Sequence, residues 1–200
     1  TLLPYTTLFR SSYTQTDAQP RFYKTFYEAT NLKTVPDTLF KDYTTGSSYM
    51  FYYTFYHCTA LTSVPAGLFS RITTSATYMF GYTFYSCSNL ASLPEEGLFS
   101  GITNASTYLF YDTFYYCSKL AGYVPPPTFA GLIAKGSPKA TSMFYYTFNS
   151  TALVSNCATY DPTYEQYLTG YEGSSYSSYY LGGKVSCQPA APVAITLKFA

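Results

Sequence analysis

One short phrase, repeated along the chain, constrains its fold more than anything else in it: Phe-x-x-Thr-Phe-x-x-Cys-x-x-Leu-x-x-(Val/Leu)-Pro-x-x-Leu-Phe. It runs almost unchanged from Phe51 to Phe69 and from Phe80 to Phe99. It recurs with small changes from Phe22 to Phe40 and from Phe110 to Phe129, and a partial copy starts at Phe144. The Thr-Phe pairs end at Phe26, Phe55, Phe84, Phe114 and Phe148, so the spacings are 29, 29, 30 and 34 residues. Self-similarity at this period is the mark of a solenoid, in which each repeat buries its apolar face only against its neighbours.

Within one repeat, Met50, Phe51, Thr54, Phe55 and Cys58 fall at roughly helical spacing. That predicts a short helix with one apolar face and with Tyr52, Tyr53, Tyr56 and His57 on the other. Leu61-Thr62-Ser63-Val64 then reads as a brief strand, ended by Pro65, which cannot continue a ladder. Ala66-Gly67 turns the chain, and Leu68 and Phe69 return to the core. Strands of successive repeats would stack in parallel.

These residues resemble the BspA-like leucine-rich repeats of bacterial surface proteins, which carry Ala-Phe-x-x-Cys-x-x-Leu-x-x-Ile and a Pro-containing turn. The matching residues are Thr54-Phe55-x-x-Cys58-x-x-Leu61-x-x-Val64-Pro65 and Thr83-Phe84-x-x-Cys87-x-x-Leu90-x-x-Leu93-Pro94. Thr113-Phe114-x-x-Cys117-x-x-Leu120 opens a third, whose ending shifts to Val124-Pro125. Thr stands where the family has Ala, and the repeat is about six residues longer than is common there. The resemblance covers roughly residues 1 to 155 and implies an α/β, leucine-rich-repeat-like solenoid of short parallel strands and short helices.

The expected organisation is a repeat solenoid over 1–157 and an irregular C-terminal capping segment over 158–200. Leu3-Pro4-Tyr5-Thr6-Thr7-Leu8-Phe9 matches the second half of the phrase, so the chain reads as starting mid-repeat, within a longer protein. Pro125-Pro126-Pro127 and the longer Ala130 to Ala140 link make the last full repeat irregular. Cys58, Cys87 and Cys117 share one column and read as small buried rungs. Cys157 and Cys187 lie outside the pattern and are a possible disulfide, which would mark an oxidising compartment. Val193 to Leu197 looks like a strand.

Comparing the copies with one another separates fixed from variable columns. The fixed ones are apolar. The variable ones are read as exposed, and they draw mainly on Tyr, Ser, Asn, Asp, His and Gly, with Lys24 and Glu28 the exceptions. Tyr supplies large, rigid, amphipathic contact area at low entropy cost, and small polar residues adapt around it, as in antibody paratopes. The expected ligand-binding residues are therefore Tyr49, Tyr52, Tyr53, Tyr56, His57, Tyr78, Tyr82, Tyr85, Tyr108, Tyr111, Asp112, Tyr115, Tyr116, Tyr145 and Tyr146. Stacked along the solenoid they would form a tyrosine band able to recognise a protein or a glycan. The strand side offers only small residues such as Thr62, Ser63 and Ser92. Two alternatives stand beside this reading. One is a structural spacer that displays another domain. The other is a surface varied by a diversity-generating retroelement, whose adenine-directed mutagenesis yields a similar alphabet.

Composition narrows the function further. Charged residues are 10% of the chain and the net charge is +1, which gives no electrostatic reason for a nucleic-acid or anionic-membrane partner. Twenty-six Tyr among few charges suits an extracellular or cell-surface bacterial protein better than a cytosolic enzyme. No apolar run reaches the roughly 18 to 20 residues needed to span a bilayer. The one His, His57, sits in a variable column, where a catalytic triad would need a fixed one. No Cys-x-x-Cys or His-x-x-x-His pair suggests zinc, and no Gly-rich loop suggests a phosphate. Glu95 and Glu96 read as a solvated turn, and the sequons at Asn104 and Asn149 as chance. A carbohydrate-active enzyme is kept as a third class only for the C-terminal segment, where Glu165 and Glu172 lie. The expectation is a non-enzymatic binding or adhesion module without cofactor or metal.

Overall fold

The computed structural model describes residues 20–122, 124–134, 140 and 142–153. Within them, successive repeats lie side by side, joined rung to rung. The stretch Tyr49 to Cys58 carries the pattern. Met50, Phe51, Thr54, Phe55 and Cys58 are buried, while Tyr52, Tyr53, Tyr56 and His57 reach the surface. The sequence places these two faces correctly. The element between them is different: the expected helix is absent, and the backbone forms overlapping β-turns with a period of four residues, two in and two out.

Hydrogen bonding explains the period. Alternate N–H groups close local turns, as Tyr52 does to the Tyr49 carbonyl, Thr54 to Phe51, Tyr56 to Tyr53 and Cys58 to Phe55. The N–H groups between them leave the repeat. Those of Tyr49, Phe51, Tyr53, Phe55 and His57 donate to the carbonyls of Thr77, Met79, Gly81, Thr83 and Tyr85 in the next repeat, at 2.8 to 3.2 Å. Every backbone donor of the stretch is therefore satisfied without a helix. The same alternation holds from Phe22 to Ala29 and from Tyr78 to Cys87.

The turns demand an unusual backbone. Every fourth residue is left-handed: Tyr49, Tyr53 and His57 have φ of 59°, 61° and 55°, and their counterparts Tyr78, Tyr82 and Ser86 have 53°, 54° and 58°. A positive φ at the third position is what a type II turn requires. Among the described residues, fourteen non-glycine ones adopt it. Each costs roughly 1–2 kcal/mol relative to the right-handed region. One repeat alone could not hold such a series, whereas bonds to the repeats on either side can.

Stacking also builds the core. Phe26, Phe55, Phe84, Phe114 and Phe148 form one ladder, with centroids 5.2 to 5.3 Å apart and rings within 7° of parallel. Phe22, Phe51, Phe80, Phe110 and Phe144 form a second, and Phe40, Phe69, Phe99 and Phe129 a third. The spacing is close to the roughly 4.8 Å between paired strands. The Thr of the repeated Thr-Phe pair has a structural role. Oγ1 of Thr54, Thr83, Thr113 and Thr147 donates to the carbonyl of Phe22, Phe51, Phe80 and Phe110 in the preceding repeat. The thiols of Cys58, Cys87 and Cys117 do the same to Phe26, Phe55 and Phe84. The Cys column is thus a donor ladder as well as an apolar one. Burial pushes the Cys58 thiol up to about 12 and raises the other two as well, which suppresses thiolate chemistry.

The expected strand at Leu61 to Val64 is reduced to single rungs. The Thr62 N–H bonds to Lys33, that of Ala91 to Thr62 and that of Ala121 to Ala91. Among the described residues only Ala121–Gly122 and Ala152–Leu153 pair as regular strands, parallel and in register. The Pro65 turn continues into a short 3₁₀ helix at Ala66–Phe69, which buries Leu68 and Phe69. In the longer repeat, Pro126–Phe129 is 3₁₀ and Ala130–Ala134 is a single α-helical segment, so extra residues leave the Phe114–Phe148 step at 5.3 Å. Gly97, at φ 91°, follows the inserted Glu95 and Glu96, and a Cβ there would come within 2.3 Å of the Pro127 carbonyl oxygen. The first partial repeat, the capping segment, Cys157, Cys187, Glu165, Glu172 and the Val193 strand lie outside the described residues.

Ser86 separates a turn from a helix experimentally. At φ 58° a β-branched side chain is strained, whereas glycine is relaxed. We expect Ser86→Gly to be neutral or stabilising and Ser86→Val to lose about 2 kcal/mol in denaturant titrations. In a helix glycine would be the worse of the two.

Candidate functional site

The turn period sets out five columns along one side of the molecule. Column a holds Tyr49, Tyr78, Tyr108 and Ser142. Column b holds Tyr23, Tyr52, Gly81, Tyr111 and Tyr145. Column c holds Lys24, Tyr53, Tyr82, Asp112 and Tyr146. Column d holds Tyr27, Tyr56, Tyr85, Tyr115 and Asn149, and column e holds Glu28, His57, Ser86, Tyr116 and Ser150. Columns a, c and e are the left-handed positions. None of their fourteen occupants is β-branched. The narrow alphabet of these columns therefore has a backbone cause, since left-handed φ is tolerated by Asp, His and unbranched side chains far better than by Val, Ile or Thr.

All fifteen residues expected to bind ligand share this side, and the rings of the fourteen aromatic ones form one network around Asp112. Tyr27, Tyr56, Tyr85 and Tyr115 stack at 4.9, 5.0 and 5.4 Å, with planes within 11° of parallel. Tyr49, Tyr78 and Tyr108 stack at 5.2 and 4.6 Å, and Tyr53 lies over Tyr82 at 4.8 Å. Edge-to-face contacts tie the columns together, as Tyr52 does to Tyr53 at 4.5 Å and Tyr115 to Tyr116 at 4.2 Å. Such pairs contribute about 0.5–1.5 kcal/mol each beyond area burial. Tyr49 and Tyr116 are the most open, at 39% and 49% exposure, and His57 is also exposed. Most of the other rings are half-buried, because each covers its neighbour. Ring faces are thus largely taken up within the stacks, and the band offers edges and hydroxyls rather than free faces.

Tyr23, Tyr27 and Lys24, outside the expected set, belong to the band. Their signal was their column, obscured by the charges of Lys24 and Glu28. The Lys24 ammonium lies over the rings of Tyr27, Tyr23 and Tyr53, at 4.7, 5.5 and 5.5 Å from their centroids. Gly81 interrupts column b, and Tyr52 leans into the space, so that a Cβ on Gly81 would come within 2.7 Å of that ring.

Asp112 corrects the sequence reading most sharply. Its column is read as exposed, yet the residue is only 7% exposed. It is the one short acidic side chain in a column of long ones, and the surrounding rings close over it. The Tyr82 hydroxyl donates to its carboxylate and is also bonded to Tyr111. Its Oδ1 is buried without a hydrogen-bond partner. Burial, opposed by the Tyr82 bond, pushes the carboxyl up to about 7. Burial is also the first cause that raises Tyr82, and the Asp112 charge is the second. Gly81 and Ser142, two further variable positions, are buried as well.

Elsewhere the surface is plain. Thr62, Ser63 and Ser92 are exposed on the strand side. The Asn104 amide is engaged with Ser75, accepting from its N–H and donating to its carbonyl. Among the described residues no three His, Cys, Asp or Glu side chains group as metal ligands, and no helix is long and apolar enough to cross a membrane. No protein-family model, curated protein or solved structure matches this chain.

The buried carboxyl gives the fold a pH dependence. Its folded pKa lies above the ordinary carboxylate range, so between about pH 4 and pH 7 the folded chain keeps a proton that the unfolded chain has released. Stability contributed at this site therefore falls as pH rises through that window and stays low above it. Asp112→Asn, an exchange that the left-handed region accepts, should remove this component. The denaturant midpoint of the wild type should drop more between pH 4.5 and pH 8 than that of the variant.

Proposed function

We propose that this chain is part of a leucine-rich-repeat-like solenoid from a bacterial surface or secreted protein, and that its tyrosine face is a non-catalytic recognition surface for a protein or glycan. One observation carries the reading: the tyrosines of successive repeats fall in register on one side of the molecule, with the variable columns among them. Their exposed edges and hydroxyls form a dense row of aromatic contact area and hydrogen-bonding groups, held rigid by stacking. Rigid amphipathic rings lose little entropy on binding, which is the advantage that paratopes draw from Tyr. Because ring faces are mostly covered, the band suits a partner that meets hydroxyls and ring edges, such as a protein loop or sugar hydroxyls. Broad stacking on pyranose rings fits it less well.

A second reading keeps one specific support. The same ring-on-ring stacking stabilises the repeats, so the tyrosines could serve a spacer alone. The backbone origin of the alphabet weakens the case for retroelement-driven variation.

The two readings part in a binding experiment. The outer rings Tyr56, Tyr85 and Tyr115 sit in a column with ordinary backbone and reach solvent, so they are the ones to change. The purified chain is applied to a glycan array and to bacterial and epithelial cells, beside a Tyr56→Ser, Tyr85→Ser, Tyr115→Ser variant whose folding is confirmed by circular dichroism. The expected outcome is wild-type binding that weakens at least tenfold in the folded variant. Absence of binding by the wild type would leave the spacer.

A further inference from the structure

The tyrosine face carries the same ring arrangement twice, once with its cation and once without. In the first repeat, the column-c residue is Lys24, surrounded by Tyr23 of column b, Tyr27 of column d and Tyr53 one repeat on. Its ammonium lies 4.7 to 5.5 Å from the centroids of these three rings. In the fourth repeat the column-c residue is Asp112, and Tyr111, Tyr115 and Tyr146 hold the three equivalent positions. The geometry repeats as well. Tyr27 meets Tyr53 edge to face at 6.1 Å and 86°, and Tyr115 meets Tyr146 at 5.8 Å and 84°. Where the first bay supplies its own ammonium, this one supplies a carboxylate. Burial and the Tyr82 hydrogen bond act on that carboxylate, while Oδ1 remains buried and without a hydrogen-bond partner. Column d also changes here, since Asn149 follows Tyr115 and ends the stack.

We infer that the bay of Tyr111, Tyr115 and Tyr146 around Asp112 is a binding site for an alkylammonium group, the lysine side chain of a partner or a quaternary choline-type headgroup. Aromatic rings attract cations through the negative potential of their faces, by about 0.5–1 kcal/mol when exposed and more when desolvated. A buried carboxylate adds a charge-assisted partner and is itself relieved of an unpaired oxygen. Neither part requires a new backbone conformation. Tyr111 and Tyr146 are half-buried, and binding would displace them from their present ring contacts. The inference rests on the tyrosine face being a recognition surface, and it names one chemical class that this surface would take.

The test uses the full chain and three probes: choline, Nα-acetyl-lysine amide, and 3,3-dimethylbutan-1-ol, the uncharged isostere of choline. Binding is followed by NMR shifts of Asp112 and its surrounding tyrosines. Saturable shifts centred on Tyr111, Tyr115 and Asp112 are expected with at least one ammonium and not with the alcohol. Whichever ammonium binds more tightly identifies the source. Asp112→Asn should weaken binding at least tenfold. Asp112→Lys should abolish it by seating an ammonium from the chain itself, as Lys24 does. Equal affinity for the alcohol, undiminished binding by the folded Asn variant, or no shift with either ammonium would overturn the inference. Cell or glycan binding that persists in such a case would leave the wider reading of the face intact, whereas loss of both would remove both.

Discussion

Everything in this molecule depends on the alternating use of backbone N–H groups. One closes a turn within the repeat, the next reaches the neighbouring repeat, and the two alternate along some ten residues. Beyond its first turn, a helix spends its donors on itself. This arrangement sends half of its donors sideways, so a repeat becomes a structure only between two others. The left-handed residue at every fourth position follows directly, because the turns that release alternate N–H groups require it. The backbone is locally unfavourable and collectively held.

Once the repeats are locked at this spacing, side chains fall into ladders with little further choice. Phenylalanine suits the core because flat rings stack at the distance the hydrogen bonds impose. Threonine and cysteine suit the inner columns because a short donor there reaches a phenylalanine carbonyl of the previous repeat; removing one would forfeit a bond worth about 1 kcal/mol. Tyrosine suits the outer columns for the same geometric reason as phenylalanine, with a hydroxyl for the solvent side. The face that we propose to be functional is thus a by-product of the lattice. Its distinctive chemistry lies where the lattice is broken, at Gly81, Asp112 and Lys24.

Much of this was legible in the sequence. The repeat length, the buried columns and the side on which the tyrosines gather follow from comparing one copy with another, and those assignments needed no knowledge of the backbone. The element itself was misread for a definite reason. Residues in at 50, 51, 54, 55 and 58 fit a period of 3.6 about as well as one of 4.0 over so short a stretch, and only a longer run would have separated them. One clue was present: Tyr49, Tyr53 and His57, exactly four apart, never hold a β-branched residue in any copy, which a helix surface has no reason to forbid. The burial of Asp112 was not legible, because a short acidic side chain reads as exposed until the height of its neighbours is known. The minimal strands were over-read from Leu61 to Val64, where a single rung per repeat does the pairing.

The most direct test of this account is a measurement of backbone torsion in solution. NMR couplings and chemical shifts at Tyr78, Tyr82, Ser86, Tyr108, Asp112 and Tyr116 report φ residue by residue. Positive φ is expected at all six, together with amide-to-amide contacts between residues about 29 apart. Negative φ throughout, with the sequential amide contacts of a helix from Tyr78 to Cys87, would contradict it.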